Sequence, residues 1–142
     1  MAIEANINYM AVIVSAAANF LLGWLWYSPM LFGKQWMKMM GFDKLSKAQQ
    51  ADMKKKMGVS IFMGIVTSFV IAYILAHFVA YTGSTTIGMG MQTGFWIWLG
   101  FIATTMMGTV LWEGKPWKLY FINVGYYLVS FHIMGAILAA WK

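Results

Sequence analysis

Four long apolar blocks alternate with one long polar connection and two short ones. The blocks run from about Asn8 to Ser28, Gly58 to Tyr81, Met91 to Trp112 and Trp117 to Trp141. A helix needs about 20 residues to cross roughly 30 Å of hydrocarbon, so each block is long enough to span a bilayer. Pro29 ends the first block by removing a helical amide, and Pro116 suits the first turn of the last. The pattern predicts an all-α integral membrane fold. It is a single membrane domain over residues 1–142, a bundle of about four transmembrane helices with spans near 8–28, 58–81, 91–112 and 117–141.

The connection over residues 30–57 has its own pattern. Phe32, Trp36, Met39 and Met40 fall at helical spacing, with Lys34 and Lys38 on the other side. This predicts a short amphipathic helix in the head-group layer. Ser46 and Gln49 have the spacing of a capping box, so a second helix should run through Asp52 and Lys54–Lys56 into the second span, with Asp43 closing the turn between them.

Composition agrees with lipid as the solvent: 61% of residues are hydrophobic, 10% are charged and mean hydropathy is +0.68. Without cysteine the chain has no disulfide, thiolate ligand or thiol nucleophile. The net charge of +6 comes from lysine with no arginine, which argues against a nucleic-acid partner and for anionic lipid. Lys34, Lys38, Lys54, Lys55 and Lys56 are the candidate head-group contacts. Seven lysines occupy the first connection, Lys115 and Lys118 the third, and Lys142 alone the opposite side. Both basic connections should therefore be cytoplasmic and both termini outside. Ala16, Ala17 and Ala18 resemble a signal-cleavage site, but the preceding stretch carries Glu4 and no lysine, so the first block is expected to remain as a span. Trp24, Trp26, Tyr27, Trp96, Trp98, Trp112, Trp117 and Trp141 read as interfacial anchors.

Small residues recur every four positions at Ala11, Ser15, Asn19 and Gly23, at Ser60, Gly64, Ser68, Ala72 and Ala76, and at Gly100, Thr104 and Gly108. Such seams allow close helix packing or association with a second copy, and a homo-oligomer is expected. Asn123, Tyr126, Tyr127 and Ser130 share a face of the fourth span, opposite His132. An amide pair between Asn19 and Asn123, or an amide–tyrosine network, could cross the bundle. His77 and His132 lack an acidic neighbour, so they predict packed histidines and no metal site. Glu113 should pair with Lys115 or Lys118. No catalytic constellation or cofactor motif stands out, and no enzyme class is assigned.

Three stretches carry a family resemblance: Asn8 and Tyr9 followed by Trp26, Tyr27, Ser28, Pro29, Leu31, Phe32, Gly33, Lys34 and Trp36; Trp98 to Phe101; and Pro116 to Leu119 leading to Ile122, Asn123, Gly125, Tyr126 and Ser130. Together they resemble the bacterial membrane family called domain of unknown function 1761. The resemblance implies a small multi-pass protein of the bacterial inner membrane and brings no activity with it. Within these stretches Gly33 allows a tight return after Pro29, and Trp26, Tyr27 and Trp36 are expected to enclose an aromatic pocket near Asn123 and Trp117. The candidate solute-binding set is Asn19, Trp26, Tyr27, Trp36, Trp117, Asn123 and Tyr127. The expected function is a homo-oligomeric binder or conduit for a small neutral solute; the alternative is an accessory subunit that docks a larger membrane complex.

Overall fold

The structure, a computed structural model, describes residues 5–142, so Glu4 lies outside the described residues. Asn8 starts α1 (Tyr9–Trp26) by accepting the Met10 and Ala11 amides on its side chain. A compact turn then leads to α2 (Gly33–Met39). In that turn the Ser28 carbonyl accepts the amides of both Leu31 and Gly33. A side chain at Gly33 would collide with the carbonyls of Tyr27 and Ser28, which is why glycine stands there. Gly41, at φ 77°, reverses the chain into a 3-10 turn over Phe42–Lys44.

The capping box forms in both directions at the start of α3 (Lys47–Tyr81), with Gln49 N–H donating to Ser46 Oγ and Ser46 N–H to Gln49 Oε1. This helix runs 35 residues without a break, joining the basic connection to the second span. Asp52 and Lys56 form an exposed ion pair on it at 3.1 Å.

The third span starts four residues before the expected Met91, at Ile87, because Thr86 caps it by accepting the Met89 amide. It is also segmented. After α4 (Ile87–Ile97) comes a π-helical stretch over Trp98–Ala103, followed by α5 (Thr104–Met106) and α6 (Gly108–Leu111). Trp117 opens α7 (Trp117–Ala140) directly after Pro116. Taken together, Tyr9–Trp26, Lys47–Tyr81, Ile87–Leu111 and Trp117–Ala140 are four helices long and apolar enough to cross a membrane. The described residues contain no strand.

The last span is the hub of the bundle: α4 and α1 pack on either side of α7, and α3 lies across α1 and α7. Gly90 meets Gly135 and Gly94 meets Phe131 so closely that a Cβ at either α4 glycine would overlap the α7 backbone. Such backbone contact supplies dispersion that larger side chains would prevent. Ala11, Val12, Ala16, Ala72, Leu75, Ala76, Met134 and Leu138 fill the core toward the end remote from the lysine-rich connection. At that remote end Thr82, Ser84 and Thr93 join their hydroxyls, and Asn8 donates to the Trp141 carbonyl at 3.4 Å.

Of the two uses open to the seams, Gly100 and Thr104 do not pack within the bundle but face outward, with nothing within 4 Å of a Cβ at Gly100, and the third span packs through Gly90 and Gly94. Two expectations about single residues change. Trp98 is no interfacial anchor, because its indole reaches inward and donates to the Val124 carbonyl at 2.8 Å. Among the described residues Glu113 makes no ion pair, with Lys115 and Lys118 beyond salt-bridge distance.

Candidate functional site: an open cleft between α1, α3 and α7

Along α3 the environment changes abruptly at Ser68. Ser68, Ala72, Leu75, Ala76 and Val79 are buried, whereas Met57, Val59, Ile61, Phe62 and Met63 are exposed. The basic half of α3 thus stands away from the bundle and leaves two adjoining open clefts. The deeper one, about 590 Å³, is lined by Asn19, Gly23 and Tyr27 of the first span region, Ile61, Gly64 and Ser68 of α3, and Tyr126 and Tyr127 of α7. The other, about 800 Å³, lies nearer the basic end, with Trp36, Met40, Met106 and Asn123 on its walls. Phe20, Tyr27, Met57, Ile61 and Tyr127 line both.

A polar knot forms the deep end. Asn19 is 4% exposed; its Nδ2 donates to Ser68 Oγ at 2.8 Å, and its Oδ1 accepts from Tyr126 at 2.9 Å and from Ser130. The Tyr126 hydroxyl also lies 2.8 Å from the Asn19 carbonyl oxygen. Asn19 is about 15 Å along α1 from Tyr9, so the knot sits at mid-depth of the bundle. An isolated amide there would be costly, and three helices share its satisfaction.

A second polar group lies nearer the basic end. The Tyr27 hydroxyl donates to Asn123 Oδ1 at 2.8 Å. The Tyr27 ring meets Trp36 and Tyr126 edge-on, at centroid distances of 5.4 and 5.7 Å. Trp36 in turn rests on Phe42, tying α2 and the turn after it to the cleft.

The two amides therefore do not pair: each meets its own tyrosine, Asn19 with Tyr126 and Asn123 with Tyr27. Tyr27, Trp36, Asn123 and Tyr127 come together around the second cleft. Trp26 does not face it; its indole donates to the Ile122 carbonyl at 2.9 Å and its ring covers Gly125. Trp26 and Trp98 thus hold α7 from two sides through carbonyls two residues apart. Trp117 also lies apart, meeting Tyr120 edge-on and stacking on Phe121. Lys34, Lys38, Lys54, Lys55 and Lys56 are all exposed.

Sequence reasoning passed over Ser68 and Tyr126 as site residues. Ser68 was legible only as a seam position, and its contact with Asn19 spans 49 residues. His77 and His132 each bond a carbonyl one turn earlier, Tyr73 and Leu128, and no cluster of metal-ligating side chains occurs among the described residues.

Comparison with curated proteins finds no match, and neither does comparison with solved structures. The sequence of residues 10–139 does match the family described as Protein of unknown function (DUF1761), and with nearly its whole length covered the chain belongs to that family.

Proposed function

We propose that this is a multi-pass membrane protein, with its lysine-rich connection in the cytoplasm, that binds a small uncharged lipophilic molecule in the cleft between α1, α3 and α7. The observation that carries this reading is the cleft itself, apolar along its walls and polar at its blind end, without a carboxylate, histidine or lysine in its lining. Its volume of about 590 Å³ falls within the range of about 300–1,000 Å³ common to small-molecule sites. A charged solute would lose its hydration there without a counter-charge, whereas a lipophile would give up little. Binding is favoured over conduction through one chain, because Ala11, Ala72, Leu75 and Met134 close the bundle beyond the polar knot.

The test is mass spectrometry of lipophiles retained by the purified chain in lipid nanodiscs. An uncharged molecule should be held stoichiometrically above the bulk lipid background, and Gly64→Trp should expel it. That indole would grow into the cleft, where only the Phe20 ring borders a Cβ. Retention of nothing beyond bulk lipid, or equal retention by Gly64→Trp, would remove the proposal.

A second reading is a docking subunit, favoured by the outward Gly100 and Thr104 face. It expects a membrane partner, or a second copy, to be lost from the purified complex on Gly100→Leu.

A further inference from the structure

The polar knot at the end of the cleft is unevenly satisfied. Asn19 Oδ1 accepts from Ser130 and shares the single Tyr126 hydrogen with the Asn19 main-chain carbonyl. Its Nδ2 carries two hydrogens, of which one goes to Ser68 and, among the described residues, the other has no acceptor. Ser68 Oγ accepts that bond, but its own hydrogen also has no acceptor among them. A helical serine ordinarily discharges its hydrogen on the carbonyl one turn earlier, which here is that of Gly64. That carbonyl instead accepts the Thr67 hydroxyl at 3.0 Å. Asn19 and Ser68 are each 4% exposed, and both line the cleft.

Two hydrogens at the blind end, one on Asn19 Nδ2 and one on Ser68 Oγ, thus lack an acceptor among the described residues. The same imbalance recurs toward the mouth, where Asn123 Oδ1 takes the Tyr27 hydroxyl and the Asn123 amide hydrogens have no acceptor among the described residues. An unmatched donor at membrane depth is costly, so the occupant should bring the missing acceptor. No lysine lines the cleft to hold an anion, which excludes a carboxylate or phosphate at that position.

Resting on the binding role proposed above, we infer that the ligand is a lipophilic carbonyl compound whose neutral C=O oxygen takes the hydrogens of Ser68 and Asn19. A carbonyl oxygen accepts two hydrogen bonds and donates none, which matches a paired donor site. A hydrocarbon would leave both donors unmet.

Benzophenone and diphenylmethane form a suitable pair of probes, because they share two rings and differ by the carbonyl. The full chain in nanodiscs should bind benzophenone at least tenfold more tightly than diphenylmethane, after correction for partition into empty nanodiscs. With a carbon-13 label at the carbonyl, its infrared stretch should move to lower wavenumber on binding. Ser68→Cys keeps a side chain of similar size but donates weakly, and should reduce both the preference and the shift, while Ser68→Thr retains them. The wild-type infrared shift stands even where a variant fails to fold. Equal affinity for the two probes, or an unshifted carbonyl, would overturn the inference and leave the lipophile-binding role standing. Such a result would follow if the Asn19 amide were turned over, since Oδ1 would then satisfy Ser68 internally. Binding of neither probe would also overturn it, while retained-lipophile analysis with Gly64→Trp would judge the broader role separately.

Discussion

The two halves of this bundle use similar small residues to opposite ends. Remote from the lysine-rich connection, Gly90 and Gly94 let α4 approach α7 until backbone meets backbone, and Ala72 and Ala76 seat α3 in the core. In the basic half, Gly23 and Gly64 bring no such closure. Gly23 faces the Tyr126 hydroxyl and Gly64 the Phe20 ring, so aromatic groups stand where a neighbouring backbone would otherwise lie. A small residue permits approach, and the residue opposite decides whether approach occurs. Five substitutions test that contrast.

The largest effect belongs to the packed half. Gly90→Leu should cost about 3 kcal/mol or more, because the α7 backbone opposite it has no rotamer with which to yield. Reversible unfolding in mixed micelles would measure this, and a loss below about 1 kcal/mol would mean that the helices can separate there without penalty.

Next comes the hinge between the halves. Asn19→Leu leaves Tyr126, Ser130 and Ser68 without their shared partner and should cost about 1–3 kcal/mol by the same measurement. Tyr126→Phe should cost less, about 0.6 kcal/mol, the average for hydrogen bonds between membrane helices. A double-mutant cycle with Asn19→Ala should recover that coupling; zero coupling would assign Tyr126 to packing alone.

The smallest effect is expected at Gly100. Gly100→Leu should change the stability of the isolated chain by no more than about 0.5 kcal/mol, since no atom lies where its Cβ would sit. A large loss would show that the outward face is in fact occupied within the fold.

The span pattern, the capping box at Ser46 and the tight turn at Gly33 were legible in the sequence because each depends on residues close in the chain. The start of the third span was not: Gly88 and Gly90 read as a loop, and only contact with Gly135 makes their poor helix propensity tolerable. Spacing could not choose between Gly90 with Gly94 and Gly100 with Thr104 as the packing face, since both pairs repeat every four residues. For the same reason Asn19 could be recognised as a buried polar residue, while its partners depended on how α3 and α7 are rotated about their axes. Trp98 looked like a membrane anchor because an indole serves equally well at an interface or inside a bundle, wherever its N–H finds a carbonyl.

The unbroken course of α3 has a mechanical consequence. At about 1.5 Å per residue its 35 residues extend about 52 Å, well beyond the roughly 30 Å of a hydrocarbon layer. One unbroken helix carries the lysine cluster at one end, a wall of the cleft in its middle and the core contacts at the other. A force applied at Lys54, Lys55 and Lys56 would therefore reach the cleft wall through a helix that is seated in the core from Ala72 onward.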